Sequence, residues 1–214
     1  MPRGDDPRVV RSRAAVVEAA TTLFLQKGYA GTTMEDVAAL AGITKRTVYN
    51  NYTDKETLFT QIVTDVLAFA DEYAVGLRAE LAADIAAADL RTSLHDLGRR
   101  LALAIVRAEV VALRRLLIGE ARAFPALGAR YFDRAPNQMI EVLASGFRHL
   151  VQLGVLRATD TRRAAEQFAY LIVGEPLDRA VLVGTVPTRE HIVTCAREGV
   201  ETFLARYAAD PRIR

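Results

Sequence analysis

The stretch AAVVEAATTLFLQKGYAGTTMEDVAALAGITKRTVYNNYTDKETLF, residues 14–59, decides the fold. Its apolar residues recur every three or four positions, the spacing of helices that bury one face. A first helix is predicted from about Pro7 to Lys27, with Val16, Ala20, Leu23 and Phe24 as its buried stripe. Gly28 ends it, because glycine tolerates the positive φ of a helix C-terminus. Thr33-Met34-Glu35-Asp36 has the shape of a capping box, with Asp36 as a shorter stand-in for glutamate. That short helix runs to Ala41. Gly42 makes the turn, and Thr44 caps a third helix from Lys45 to about Asn51. Thr53-Asp54-Lys55-Glu56 is a full capping box and opens a fourth helix that reaches about Ala79.

Two short helices joined by Ala41-Gly42-Ile43 fit a helix-turn-helix. Val37, Ala38, Ala41, Ile43 and Val48 supply the contact between them. The third helix then exposes Thr44, Lys45, Arg46, Thr47, Tyr49 and Asn50. Such side chains suit a DNA surface. Lysine and arginine neutralise phosphate or bond guanine edges, asparagine pairs with adenine, and threonine hydroxyls bond phosphate oxygens. An ordinary solvated helix face would carry the same residue types, so both readings stand at this point.

The rest of the chain sets bounds. Its 214 residues are 51% hydrophobic and 25% charged, which fits one or two ordered globular domains. The net charge of +2 is too mild to argue for nucleic acid by itself. Distribution says more: the three lysines are Lys27, Lys45 and Lys55, and Arg3, Arg8, Arg11 and Arg13 crowd the N-terminal arm. A solvated, frayed terminus accounts for the arm equally well. The single cysteine, Cys195, excludes an intramolecular disulfide and a cysteine-built zinc site. Cys195 reads as a structural thiol, since no second cysteine can resolve an oxidised form. His95, His149 and His191 stand far apart, so neither a metal nor a cofactor is expected. No apolar run approaches a membrane span, and the charged N-terminus lacks the apolar core of a secretory signal. The expected compartment is the cytoplasm.

Beyond residue 79 the periodicity stays helical. Leu90, Leu94, Leu97, Leu101 and Ile105 mark a helix over about Leu90–Ala108, followed by one from Val110 to Ala123 that stops before Pro125. Pro136 suits the first turn of the next helix, ending near Gly154. Asp160 or Thr161 caps a helix to about Val183 that Pro176 should kink. Thr188 caps the last, to about Tyr207. VLVGTV, 181–186, is the one strand-like run and reads as a helix end and a turn. No enzyme is expected: Asp5-Asp6 leads nowhere, Glu190-His191 lacks a second partner, and neither a Gly-rich phosphate loop nor a Ser-His-Asp pattern appears.

Residues 14–59 resemble the DNA-binding domain of TetR-family transcriptional regulators. The matching elements are LF-x3-GY at 23–29, TTMEDVA-x2-AG at 32–42, ITKRTVYNNY at 43–52 and DKE at 54–56. The resemblance implies an all-α protein. Residues 1–55 would form a helix-turn-helix domain with an N-terminal arm, and 56–214 a helical bundle for dimerisation and ligand binding. It places Lys45–Asn51 in a major groove, with Thr33, Lys55 and Tyr49 on phosphates. Asn51 departs from the family's usual tyrosine or histidine, and Tyr52 stands where phenylalanine is common. RRLLIGEARAFPALGARYF, 114–132, looks like the AefR-like subgroup of C-terminal domains.

The implied function is a homodimeric repressor of a palindromic operator, released by a small lipophilic effector. A constitutive or activating DNA-binding protein without a ligand is the alternative. In the last helix Ile192, Ala196, Val200, Phe203 and Tyr207 form a stripe that must be buried. It packs either on its own bundle or, with Ile172 of the preceding helix, on a second copy. Candidate pocket residues are Leu101, Ile105, Leu116, Leu117, Phe124, Met139, Leu143, Phe147 and Phe168, with Tyr131 and Phe132 nearby in sequence. Glu120 and Gln167 would orient a ligand, though all of these could equally be core or solvated residues. The fourth helix, about 54–79, is the natural transmitter.

Overall fold

A computed structural model describes residues 7–83 and 90–209. Among them the regular elements are helical. They are α1 Pro7–Lys27, α2 Met34–Ala41, α3 Lys45–Asn51, α4 Lys55–Ala83, α5 Leu90–Ile105, α6 Ala108–Glu120, α7 Pro125–Phe132, α8 Gln138–Gln152, α9 Thr161–Val183 and α10 Arg189–Tyr207. The chain divides into two compact units, Met1–Ala68 with Arg115–Tyr131, and Phe69–Arg114 with Phe132–Arg214. These units cut the chain elsewhere than 55/56.

In the first unit α1 buries Val16, Ala20, Leu23 and Phe24, the stripe its spacing implies. Arg8, Arg11 and Arg13 belong to α1 itself rather than to an arm, and Arg3 lies outside the described residues. Thr33 closes a full capping box with Asp36, and Gly42 takes φ +66° at the end of α2. That left-handed conformation lets Ile43 N donate to Ala38 O at 3.1 Å, turning the chain into α3. α4 is capped by Asp54, whose Oδ1 accepts from Thr57 N at 2.7 Å, and not by Thr53. Aspartate one position nearer the helix is the better acceptor there. The helix also runs four residues past the expected end.

Residues 121–132 hold a helix that the sequence reading passed over. Pro125 does not merely stop α6. It begins α7, where its missing N–H costs nothing. Pro136 does not open a fresh helix either. It sits inside a π-helical turn, Asp133–Asn137, that runs straight into α8. Without its N–H the regular bond to residue 132 is lost, and the turn widens.

The second unit is centred on three rings. Phe147 of α8, Phe168 of α9 and Phe203 of α10 meet at centroid distances of 5.1–5.4 Å and are fully buried. α9 and α10 approach closely at Gly199, where an added Cβ would lie 2.4 Å from Leu171 O. Pro176 is accommodated inside α9, facing the core. The α8–α9 connection is tied to the end of α10 by Arg157 N donating to Tyr207 O, 2.9 Å, and Ala209 N to Val155 O, 3.1 Å. No helix of the described residues is long and apolar enough to cross a membrane.

Candidate nucleic-acid interface

Val37 and Ala38 of α2 and Val48 of α3 are buried. Their packing leaves Thr44, Lys45, Arg46, Tyr49 and Asn50 exposed and Thr47 half-buried. Two of the predicted contacts also build the helices. Asp36 N donates to Thr33 Oγ1 at 3.1 Å, and Thr47 N to Thr44 Oγ1 at 3.2 Å. A capping hydroxyl uses a lone pair and keeps its proton, so Thr33 retains a donor beside the positive end of α2. Thr44 and Thr47 share a hydroxyl–hydroxyl bond of 2.8 Å.

Lys45 pairs with Glu35 of α2 and lies 5.7 Å from the Tyr49 ring centroid. The hydrogen bond from Lys45 holds the Glu35 carboxyl below its ordinary range and raises the lysine. The pair is exposed, so a phosphate can compete for the ammonium. Glu35→Gln is therefore expected to tighten binding to any duplex and to steepen the salt dependence by about one counterion. Titrations at several salt concentrations check this, and an unchanged slope would mean that Lys45 meets no phosphate. Arg46 is exposed, and among the described residues it has no ion-pair or hydrogen-bond partner. Its guanidinium donors face solvent.

Lys55, expected at a phosphate, also bonds within the protein. Its Nζ donates to Tyr29 O at 2.7 Å and to Thr32 O at 2.8 Å, and sits 4.3 Å from the Tyr29 ring centroid. Only one N–H is left for an anion. Lys55→Met should thus cost about 1–3 kcal/mol of stability by removing the donor to Thr32 O and leaving Tyr29 O with only the Thr32 N–H at 3.3 Å. Thermal unfolding tests this, and a variant with unchanged melting would return Lys55 to a purely phosphate role. Asn51 answers its departure from the family pattern: Nδ2 donates to Ser12 Oγ at 3.0 Å, tying α3 to α1. Tyr52 is buried, as expected of the ring that replaces phenylalanine.

The expected pocket lining is split between units. Leu116, Leu117, Glu120, Phe124 and Tyr131 belong to the first. There Phe124 joins Tyr29 at 4.9 Å and Phe59 at 5.3 Å in an aromatic cluster, so it is a packing residue. Leu101, Leu143, Phe147 and Phe168 of the second unit fill its core, Ile105 and Met139 pack against it, and Phe132 is exposed. Gln167 accepts from the Tyr207 hydroxyl at 2.6 Å on the exterior. A cleft of about 180 Å³ does occur in the second unit, lined by Arg78, Leu81, Val142, Ser145, Gly146 and His149. Of these, the sequence names His149 only as a histidine far from the others, while Val142, Ser145 and Gly146 lie within the stretch Met139–Phe147 expected to line a pocket.

The expected interface stripe is covered inside the protomer. Ile172, Ile192, Ala196, Val200 and Phe203 are all buried within the protomer, and Tyr207 stacks on Phe203 at 4.8 Å. Ile172, Ile192, Ala196, Val200 and Phe203 belong to the core cluster of the second unit, and Tyr207 packs against it. The apolar residues left exposed on this pair are Tyr170, Leu171, Leu182 and Val183 of α9. His191 and Cys195, read separately, meet Glu175. The signal for that meeting was the four-residue spacing of histidine and cysteine on one helix.

A capped helix pair with an exposed basic second helix defines a helix-turn-helix DNA-binding protein. Residues 16–62 match the bacterial regulatory proteins of the tetR family, and residues 92–209 match the C-terminal domain of AefR-like transcriptional repressors. A TetR-family regulator of Mesorhizobium loti shares 31% identity over 95% of this chain and 100% of its own, with a TM-score of 0.81. The flavonoid-responsive regulator FrrA shares 28% identity over 95% of this chain and 99% of its own, with a TM-score of 0.64. The HTH-type regulator YhgD of Bacillus subtilis is 48% identical over 52 residues, 24% of this chain and 27% of its own. The matches to curated relatives thus span about a quarter of their length. The chain belongs to the TetR family of transcriptional regulators, with an AefR-like C-terminal domain. As a regulator of this family it is not an enzyme.

Proposed function

We propose that this regulator is a homodimeric repressor that occupies a palindromic operator and leaves it when a small effector binds. The observation that carries the reading is the exposed face of α3, where Arg46, Tyr49 and Asn50 stand clear of the protein. One short recognition helix reads few base pairs, and a twofold pair doubles the site. Support for repression comes from IcaR of Staphylococcus epidermidis, a negative transcriptional regulator of a biofilm operon, 38% identical over 48 residues, 22% of this chain and 26% of its own. The second copy would cover the apolar residues that α9 leaves exposed, where Leu182 is 80% and Val183 69% accessible. Leu171→Asp/Leu182→Asp should then sediment as a folded monomer, while an unchanged dimer would place the interface elsewhere.

The effector reading rests on the Arg78–His149 cleft. The Arg78 guanidinium beside the apolar Leu81 and Val142 favours a small amphipathic anion over a neutral lipophile. α4 carries Arg78 and also residues of the DNA-binding unit, so a shift of α4 would alter the spacing of two recognition helices. Medium-chain carboxylates should release the bound duplex from wild type but not from Arg78→Ala. The volume of about 180 Å³ is below the ~300 Å³ of ordinary ligand sites, which favours a second reading, a regulator without an effector. Operator affinity unmoved by any such carboxylate would decide for it.

A further inference from the structure

We propose that Glu175, His191 and Cys195 form a binding site for one divalent metal ion of the zinc class per protomer. The site rests on its own geometry and not on the operator reading. His191 and Cys195 stand four residues apart on α10, so they project from one face a turn apart. Glu175 reaches them from α9. Cys195 Sγ lies 3.6 Å from His191 Nε2, and Glu175 Oε2 lies 2.7 Å from the same nitrogen. All three ligand atoms fall within 4.8 Å of one another.

Two of the three separations can be set against those of a tetrahedral ion. With Zn–S near 2.3 Å and Zn–N near 2.0–2.1 Å, tetrahedral angles put sulfur and nitrogen about 3.6 Å apart, and nitrogen and oxygen about 3.4 Å apart. The first pair is already at that spacing. The second must open by about 0.7 Å, as the ion replaces the Glu175–His191 hydrogen bond. The surroundings orient the ligands. Arg179 Nε donates to Glu175 Oε1 at 2.6 Å, which leaves Oε2 for the ion. His191 N donates to the Thr188 cap at 3.2 Å, fixing the first turn of α10.

The donor set selects the metal. A thiolate, an imidazole and a single carboxylate suit zinc or cobalt(II), whereas magnesium and calcium call for oxygen cages. Thiolate and carboxylate together neutralise the two positive charges, and the thiol proton leaves to solvent on binding. Three protein ligands leave the fourth position to water. Once bound, the ion staples α9 to α10 near their connection.

The test uses the full-length protein, reduced and freed of metal, titrated with Co²⁺ and then Zn²⁺. One cobalt ion per protomer is expected, with a thiolate-to-cobalt charge-transfer band and the d–d bands of a tetrahedral site, both displaced by zinc. Cys195→Ser should abolish the charge-transfer band. His191→Ala and Glu175→Gln should each weaken uptake by at least the roughly ten- to hundredfold that disturbing a ligand's orientation already costs. Zinc should raise the melting temperature of wild type and leave that of Cys195→Ser unmoved. Circular dichroism confirms that each variant is folded. Failure to take up cobalt, or a cobalt spectrum unchanged in Cys195→Ser, would overturn the site.

Discussion

Arg46→Ala is expected to weaken operator binding by about 1–3 kcal/mol, a factor of roughly 5 to 150, and to relax base preference at one position. Arg46 stands on the exposed face of the recognition helix and has no partner among the described residues. Its planar fork is thus available for the paired acceptors of a guanine edge without first breaking an ion pair. Lys45 differs, because Glu35 already holds its ammonium. Its removal should cost less and should weaken all sequences alike. Anisotropy titrations on the operator and its single-base variants separate the two. A loss that is uniform across sequences would reduce Arg46 to a phosphate contact.

Phe203→Ala should destabilise the protein by about 3–5 kcal/mol, the range for removing a buried aromatic ring. Phe203 is fully buried and touches Phe147, Phe168 and Tyr207 with ring centroids 4.8–5.1 Å apart. A charge at this position, as in Phe203→Arg, would lie in the middle of the second unit and should unfold it rather than yield a soluble monomer. Denaturant titration measures the alanine variant. A folded Phe203→Arg protein that merely loses its partner would show that the ring belongs to an interface after all.

The sequence was most legible where local chemistry decides structure. The boundaries of α1, α2 and α3 follow from Gly28, the Thr33–Asp36 box, Gly42 and Thr44, each acting within a few residues of itself. Around Pro125 and Pro136 the same rules left a choice. Proline can stop, start or widen a helix, and only the packing of neighbouring turns selects one. The stripe on α10 shows the other limit. Periodicity tells that Ile192, Val200 and Phe203 are buried, but not against what. Lys55 and Asn51 were equally hidden, because their partners Tyr29, Thr32 and Ser12 lie 23 to 39 residues away. The cluster at Glu175 arises in the same way, from the close approach of α9 and α10.

Selection of duplexes from a random pool by the full-length protein tests the central claim most directly. Wild type should enrich an inverted repeat whose half-sites are separated by one helical turn or a multiple, about 34–36 Å centre to centre for one turn. Lys45→Ala/Arg46→Ala, carried through the same rounds, should enrich no common sequence. A wild-type pool without a repeat, or the same repeat recovered by the double variant, would contradict the assignment of α3 as the helix that reads DNA.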